Sequence, residues 1–564
     1  MWLVVVDTTQ IQPYIFGSNR LRENVGASYL VDAATRTWAF DAVREAVKDA
    51  TPGKTNIEPG NMLRDDAPDA RIENGSLNAE VLYAGGGNFV VLFDDENRAK
   101  AFQSALSRRV LEEAPGLQLV IAHQEMNWRE DVLSKKLNEV FHLLTKQKRK
   151  RTWSAPLLGL SVTAACRSTG LPATGLALGI GGEPGYLASD EILAKVAIAR
   201  PQHGETSEAD RRLQKTIPLA AAYRYPADFD DMGATTGEYS HIAVVHADGN
   251  NMGQRFREIG KECTTARQNR ELVLKLRAYS IKVEDAAKQA LKATLDKLVV
   301  SIIDENGEKV IVHQLSRNRS IQIKLKKGKN GHYLPFRPIV FGGDDVTFVC
   351  DGRLGLSLAI AYMREFEQQT AGLGKDGGNL TACAGVAIIK SHYPFARAYT
   401  LAEELTRSAK SYRKKKEIAG SCLDWHFALS GLGGSIKEIR NREYKVGEED
   451  WLTVRPVTLD DNPEQGQHAW PVVWRGIKAF QKEDWVDRRN KIKALRDALR
   501  EGAEAVKRFR TAFNNTDPLP TVMSEMQDWP LSGWQSHYCG YFDAIELVDW
   551  FIPLKGEADA TLAT

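Results

Sequence analysis

The sequence predicts an α+β fold in which one strand–helix plan occurs twice and a helical region follows. Three observations support this prediction. Strand-like and helical patterns alternate over residues 1–150, the same order returns over 239–420, and both copies carry a glycine-rich turn between two apolar strands. A chain of 564 residues is too long for one hydrophobic core. Its 43% hydrophobic and 26% charged residues are ordinary for a globular protein, and a net charge of +2 favours neither nucleic acid nor membrane globally.

The first copy has the order β-α-β-β-α-β, which is the ferredoxin-like plan. Its predicted elements are a strand at 2–6, a helix at 26–47, a strand–turn–strand at 79–93, a helix at 95–113, a strand at 117–125 and a helix at 131–147. Residues 151–238 are rich in glycine and proline and poorly periodic, so we expect a linker domain there.

The second copy repeats this order, which indicates an internal duplication. Its predicted elements are a strand at 241–253, a helix at 270–300, a strand–turn–strand at 335–350, a helix at 353–371, a strand at 380–390 and a helix at 394–414. The two hairpins match by position, with Gly87 over Asp344 and Asn88 over Asp345. The first hairpin therefore keeps the turn without the charge, and it is open to a purely structural interpretation. Residues 421–564 are expected to form a helical domain, with a long helix near 484–513 and tryptophans in its core.

The hairpin sequence FGGDDVTFV, residues 341–349, places two carboxylates side by side, where each disfavours ionisation of the other. A divalent cation would remove this conflict. Asp248 follows the first strand of the same copy, and in a ferredoxin-like sheet the first and third strands are neighbours. Asp248, Asp344 and Asp345 would then form an all-oxygen cluster suited to Mg²⁺ or Mn²⁺. Two such metal ions on this fold are typical of nucleotidyl transfer.

Four stretches resemble the large, palm-containing subunit of type III CRISPR effector complexes, whose palms are related to GGDEF nucleotide cyclases. They are residues 11–31, residues 82–93, residues 247–253 with 342–345, and residues 384–410. The resemblance implies a pseudo-dimer of two palms with two ATP molecules across the interface. It also implies synthesis of 3′–5′ cyclic oligoadenylates, second messengers that a downstream effector senses in antiviral defence. Guide or target RNA and other effector subunits are the implied partners.

The resemblance also implies roles for individual residues. Asp248, Asp344 and Asp345 would hold the metals, and the expected nucleotide-binding residues are Gly249, Asn250, Asn251, Gly342, Gly343, Lys410, Gly85, Gly86 and Gly87. Lys410 matches a basic residue near the triphosphate, although an ordinary solvated lysine remains the alternative. The three glycines of the first hairpin are expected to cradle the second ATP.

The sequence departs from the family's pattern in three places. Asn250 stands where many relatives have an aspartate, which would weaken a metal or phosphate contact. No His-Asp dipeptide occurs, so we expect no N-terminal HD nuclease. Cys166 stands alone in the inter-palm segment, so we expect no zinc. The six scattered cysteines, the lack of a basic leader and the lack of a long apolar stretch predict a cytoplasmic protein away from membranes.

Two alternatives to an ATP-using cyclase remain open from sequence. One is a GGDEF-like cyclase that makes a cyclic dinucleotide from GTP, and the other is a non-catalytic RNA-binding scaffold. Basic runs at 146–153 and 411–417 could contact RNA, or could be solvated helix ends. The GGDD motif and the duplication argue against the first alternative, and retention of three costly carboxylates argues against the second.

Overall fold

The structure is a computed structural model. It describes the whole chain except residues 52–53, 65–69, 86, 151–161, 180–183, 202–205, 234–240, 317–318, 429–433, 461–465, 483–484, 486, 513–517 and 557–564. The chain divides into two compact units. Unit 1 comprises Met1–Pro218, Asn251–Lys288 and Ile339–Asp345, and unit 2 comprises Leu219–Asn250, Gln289–Pro338 and Val346–Thr564.

The first sheet, in unit 1, has the predicted ferredoxin-like strand order β2-β3-β1-β4, with antiparallel neighbours. Its elements are β1 (Trp2–Thr9), α1 (Ile11–Phe16), α2 (Leu21–Thr35), α3 (Thr37–Ala46), β2 (Ala79–Gly85), β3 (Asn88–Phe93), α4 (Glu96–Glu113), β4 (Gln118–Glu125) and α5 (Leu133–Lys150). The single helix predicted over 26–47 is two helices, because Arg36 leaves the helical region with φ −132° and ψ −85°.

The core of unit 1 lies on both faces of this sheet. Leu3 to Val6 of β1 are fully buried, which explains why the strand reads as a continuous apolar run. One cluster joins Leu3, Val5 and Val90 to α5 and to residues 272–276. This packing holds β2 and β3, the strands that flank the first glycine turn.

Short elements connect the two sheets, in the segment predicted to be poorly periodic. They are β5 (Gly175–Ala177), β6 (Tyr186–Ala188), α6 (Asp190–Ala199), α7 (Glu208–Thr216) and β7 (Tyr223–Arg224). Cys166 is buried beside this β5–β6 hairpin.

The second sheet repeats the order of the first and extends it. Its strand order is β14-β15-β8-β16-β17-β20, in which the first four strands are the ferredoxin-like set. The elements of this region are β8 (His241–Gly249), α8 (Met252–Lys261), α9 (Asn269–Val300), β9 (Ile302–Glu305), β10 (Glu308–Ser316), β11 (Arg319–Lys324), β12 (Lys327–Gly328), β13 (Gly331–Tyr333), β14 (Phe336–Val340), β15 (Asp345–Asp351), α10 (Gly355–Gln369), β16 (Ala382–Lys390) and α11 (Phe395–Lys415). The separate sheet of β9, β10 and β11 was not predicted.

The C-terminal region mixes helices with short strands. Its elements are β17 (Cys422–Ala428), α12 (Ile436–Glu443), β18 (Lys445–Val446), β19 (Asp450–Trp451), β20 (Val457–Thr458), α13 (Trp470–Phe480), α14 (Arg489–Glu501), α15 (Ala503–Ala512), α16 (Trp529–Ser532), β21 (Trp534–Gln535), β22 (Tyr538–Cys539) and α17 (Phe542–Leu547). The long helix predicted near 484–513 is broken at Gly502, whose φ is 99°.

The predicted fold class, two ferredoxin-like sheets followed by a largely helical region, is confirmed. Most C-terminal tryptophans are buried, as expected of core residues: Trp425, Trp470, Trp474, Trp485, Trp529 and Trp534. Within the described part of the chain, no helix is long and apolar enough to cross a membrane.

Candidate active site

The GGDD hairpin joins β14 to β15 by a turn that requires glycine. Gly342 and Gly343 have φ values of 115° and 102°, a region that residues with a Cβ rarely adopt. Asp344 follows in the turn, and Asp345 is the first residue of β15. The backbone conformation of the two glycines therefore sets the position of the two adjacent carboxylates.

Two contacts, one from α2 of the first copy and one from α7 of the connecting segment, hold this hairpin within unit 1. The Ser28 hydroxyl of α2 donates a hydrogen bond to the Ile339 carbonyl over 2.5 Å. The Arg212 guanidinium of α7 lies 4.5 Å from the centre of the Phe341 ring. The hairpin is thus held through the Ile339 carbonyl of β14 and through the Phe341 ring, both of which precede the carboxylates.

Asp248 lies near the end of β8 and forms an ion pair with Lys410. The Lys410 Nζ is 2.6 Å from Asp248 Oδ2, and it also donates to the Gly249 carbonyl over 3.2 Å. Both side chains are about one-third exposed, at 32% and 36%. Lys410, an expected triphosphate contact, therefore meets one of the expected metal ligands directly.

Helix α11 reaches this position because it packs closely on the sheet. A Cβ on Gly385 of β16 would lie 2.2 Å from the Ala402 carbonyl oxygen, so only glycine fits. One turn before Lys410, the Thr406 hydroxyl donates to the His246 carbonyl over 2.9 Å. Sequence reasoning missed Gly385 and Thr406 as positioning residues, although a glycine inside the apolar strand 382–390 was an available signal.

Asn250 is held by the loop before β16. Its backbone N–H donates to the Thr381 carbonyl over 2.8 Å, and its Nδ2 donates to the Thr381 hydroxyl over 2.9 Å. Only 7% of Asn250 is exposed. Asn251 follows with φ 61° and is the N-cap residue of α8. The amide of Asn250 therefore stabilises the turn between β8 and α8.

The predicted neighbouring of the first and third strands of this sheet is confirmed, because β15 lies beside β8. His246 Nδ1 of β8 lies 3.0 Å from the Thr347 hydroxyl of β15. Across the described residues, no group of three or more His, Cys, Asp and Glu side chains has an arrangement suited to a metal ion. The metal site stays a prediction.

A cavity of about 640 Å³ in unit 1 brings the two hairpins together. Gly85 and Asn88 of the first hairpin and Gly343 and Asp344 of the second line the same space. The remaining walls come from Tyr83 of β2 and from residues of α5, α8 and α9, namely Ser134, Leu137, Asn138, Phe141, Met252, Gly253, Phe256, Arg257, Gly260, Lys261, Leu272, Leu276, Ser280, Val283 and Glu284. This volume lies within the range of small-molecule sites.

Aromatic and charged side chains lie in and around this cavity. Tyr83 stacks on Phe256 with ring centres 6.3 Å apart, and Phe256 meets Tyr279 edge-on. Burial raises the pKa of Tyr279 and Asp344 adds to the increase, while Arg255 opposes it. Arg257 and Lys261 of α8 are exposed in this cavity. Sequence reasoning missed this pair of cations, whose four-residue spacing places them on one face of α8.

The first hairpin also favours glycine at two of its positions. Gly87 has a φ of 76°, and a Cβ on Gly85 would lie 3.1 Å from the Ser280 hydroxyl. Gly86, also expected to contact nucleotide, lies outside the described residues.

The first copy also keeps an Asp–Lys pair that sequence reasoning missed. Asp7 lies opposite Asn88 in the β1–β3 ladder and forms an ion pair with Lys148 of α5. Lys148 follows the first residue of α5 by fifteen positions, and Lys410 follows the first residue of α11 by the same number. The duplication thus extends from the hairpins to a strand-terminal carboxylate and the lysine that holds it.

Two ferredoxin-like sheets with matched hairpins and matched Asp–Lys pairs define a two-palm protein. Residues 241–419 match the family model described as Cas10/Cmr2, second palm domain. This match confirms the predicted resemblance to the large subunit of type III CRISPR effectors. A comparison with curated proteins found no match.

The fold is similar to that of chains in crystal structures of a Csm1-Csm4 cassette. The cassette in complex with pppApApA matches with a TM-score of 0.52 at 14% identity, covering 97% of this chain and 69% of that chain. The cassette in complex with cA4 matches with a TM-score of 0.51 at 14% identity, covering 97% and 68%. At this identity the likeness concerns the fold.

Proposed function

We propose that the chain is a metal-dependent nucleotidyltransferase that joins ATP into cyclic oligoadenylates and releases pyrophosphate. The observation that carries this proposal is the cavity shared by the two hairpins. Gly85 and Asn88 line it from one side and Gly343 and Asp344 from the other, and its volume is about 640 Å³. Joining two nucleotides requires that one be held against the other, and a cavity walled by both copies suits that task.

Asp248, Asp344 and Asp345 would hold Mg²⁺ or Mn²⁺. The residues fit such ions because carboxylate oxygens are the ligands that hard cations prefer. Asp248 already attracts an ammonium group, which indicates a negative potential at the end of β8. When bound, the metal ions would lower the pKa of the attacking 3′-hydroxyl and neutralise the pyrophosphate leaving group.

The chain's own residues would bind and orient the two nucleotides. Gly342 and Gly343 leave the backbone open beside the phosphates, and Arg257 and Lys261 offer cations in the same cavity. The start of α8, at Met252 and Gly253, lines the same cavity and would offer its free backbone N–H groups to a phosphate. In this proposal Gly85 and Asn88 hold the second ATP, whose 3′-hydroxyl attacks the first.

Adenine as the base is supported by the ligands named in the related structures, pppApApA and cA4. Those structures are of an assembly with Csm4, so a second effector subunit is the proposed partner of this chain. The proposed setting is CRISPR-linked antiviral defence in the cytoplasm.

Incubation with each NTP in Mg²⁺ or Mn²⁺, followed by mass spectrometry, tests the function. We expect oligoadenylates and pyrophosphate from ATP, and no comparable product from CTP or UTP. A cyclic dinucleotide from GTP would instead establish the GGDEF-like alternative and contradict the proposal.

A substitution in the first hairpin tests the shared cavity. A Cβ at Gly85 would meet only the flexible Ser280 hydroxyl, so we expect Gly85→Val to leave the fold intact while it narrows the cavity. Calorimetry with a non-hydrolysable ATP analogue should show two sites in the wild type and one in this variant. Ala84→Val, one residue earlier on β2 and outside the cavity lining, is the matched control. Two sites and full synthesis in Gly85→Val would contradict the role of the first hairpin.

A further inference from the structure

A second large cavity, of about 740 Å³, lies within unit 2. Helices α11, α12 and α14, the end of β17 and residues 545–550 enclose it. None of the carboxylates or hairpin glycines discussed above lines it. Its volume is within the range of sites for nucleotide-sized ligands.

One face of α14 lines this cavity with four cations. Arg489, Lys493, Arg496 and Arg500 are spaced by four, three and four residues, which places them on one side of a helix. Arg319 and Arg397 come from other elements of the wall and bring the number of lining cations to six. A row of like charges repels itself unless an anion lies among it.

The carboxylates of the wall are already engaged with other groups. Asp549 accepts from Arg489 over 2.7 Å and also from Arg319. Glu546 lies 2.8 Å from Arg455, and Glu404 accepts a hydrogen bond from the Ile436 N–H. The fourth lining carboxylate, Glu443, pairs with Arg442 outside the cavity.

Three of the lining cations are not paired with a carboxylate of any described residue. Arg397, Lys493 and Arg500 form no ion pair with any described residue, and all three are exposed. The cavity therefore keeps a positive charge that its own carboxylates leave uncompensated.

A buried histidine supplies an independent sign of a ligand. His426 lines the cavity, is only 5% exposed, and its Nδ1 has no hydrogen-bond partner within the described part of the chain. Burial lowers its pKa to about 3, and Arg455 and Arg440 add to this effect, so the ring is neutral at pH 7. An unpaired buried polar atom is uncommon in a folded protein and suits a site that a polar ligand completes.

Four aromatic side chains also line the cavity: Tyr393, Phe427, Tyr444 and Trp550. Arginine and aromatic rings together are the groups that hold a planar base next to its phosphates.

We propose that this cavity is a second, non-catalytic site for a nucleoside polyphosphate. Its phosphates would lie along the cationic face of α14, and its base would lie against the aromatic wall. This site needs no metal ion, because the protein supplies the positive charge itself. The inference stands apart from the proposed synthesis and does not depend on it.

Equilibrium dialysis of labelled ADP against the full chain in EDTA tests the site. We expect one metal-independent ADP per chain, with an affinity that falls as NaCl is raised. Lys493→Ala with Arg500→Ala should weaken this binding about tenfold or more, since each removes a charged partner of a phosphate. Lys507→Ala with Arg508→Ala removes the same charge from α15, outside the cavity lining, and should leave binding unchanged.

Three outcomes would overturn the proposal. The first is no ADP bound by the wild type in EDTA, and the second is an equal loss in both double variants. The third is binding of a short single-stranded oligoadenylate that depends on Lys493 and Arg500 while ADP does not bind, which would assign the cavity to a nucleic-acid strand. Thermal melting of both variants is the control for folding, and we expect melting temperatures close to that of the wild type.

Discussion

Replacing Lys410 by methionine should move metal affinity and nucleotide affinity in opposite directions. In the structure the Lys410 ammonium is 2.6 Å from Asp248 Oδ2, so it occupies the carboxylate that a metal ion would need. Metal binding and the ion pair therefore compete for Asp248. With a metal ion on Asp248, the ammonium would be free to meet a triphosphate.

The size of the effect follows from the exposure of the pair. With side chains 32% and 36% exposed, the ion pair is of the solvent-screened kind, worth about 0.2–1 kcal/mol. Its loss in Lys410→Met should raise Mn²⁺ affinity without nucleotide by at most about fivefold. Loss of a charged phosphate contact should weaken ATP-analogue binding about tenfold or more.

Calorimetric titration of Mn²⁺ alone, and then of the analogue with Mn²⁺ present, measures both quantities. Lys410→Arg should keep most nucleotide affinity, and Lys414→Met, an exposed change on the same helix, should alter neither. Unchanged affinities in Lys410→Met would show an ordinary surface lysine. A joint fall in both affinities would show that Lys410 only stabilises the fold.

Three further predictions concern Gly385, Asn250 and His426. Gly385→Ala should lower the free energy of unfolding by about 1–3 kcal/mol and abolish synthesis, because its Cβ would meet the α11 backbone. Gly253→Ala is the control, and it should not lower the melting temperature because its Cβ would meet open space. Synthesis should prefer Mn²⁺ or Co²⁺ over Mg²⁺, and Asn250→Asp should shift this preference toward Mg²⁺; equal rates in all metals at low concentration would contradict this. Because the folded pKa of His426, about 3, is below its unfolded value, the unfolded chain binds more protons as pH falls from 6.5. The free energy of unfolding of unit 2, measured in urea, should therefore fall by about 2 kcal/mol between pH 8 and pH 5 because of this histidine. The fall should be absent in His426→Asn and should remain in His392→Asn, the exposed control.

Element order was predictable from sequence because both sheets are built from strongly patterned strands and helices. The buried apolar run of β1 and the apolar segments around each glycine turn could be assigned as strands with little ambiguity. The break at Arg36 and the break at Gly502 were missed, because helical periodicity continues across both positions. The small β9–β11 sheet was missed because its burial is partial and its alternation weak.

The candidate site was predictable to the extent that its chemistry is local in sequence. Adjacent carboxylates after two glycines are visible in a single stretch. The shared cavity is not, since Asn88 and Asp344 are more than 250 residues apart. Asp7 was overlooked because its lysine partner, Lys148, is distant in the chain and only the fold brings the two together. The tight packing at Gly385 is likewise a property of the folded helix and sheet.

Synthesis by the Asp344→Ala, Asp345→Ala double variant tests the central claim most directly. Removing two adjacent like charges should not lower thermal stability without metal, so loss of activity would report on chemistry. With ATP and Mn²⁺, we predict oligoadenylates and pyrophosphate from the wild type and neither from the folded variant, as read by mass spectrometry. The same product from the variant at a comparable rate would show that the GGDD hairpin does not carry the reaction.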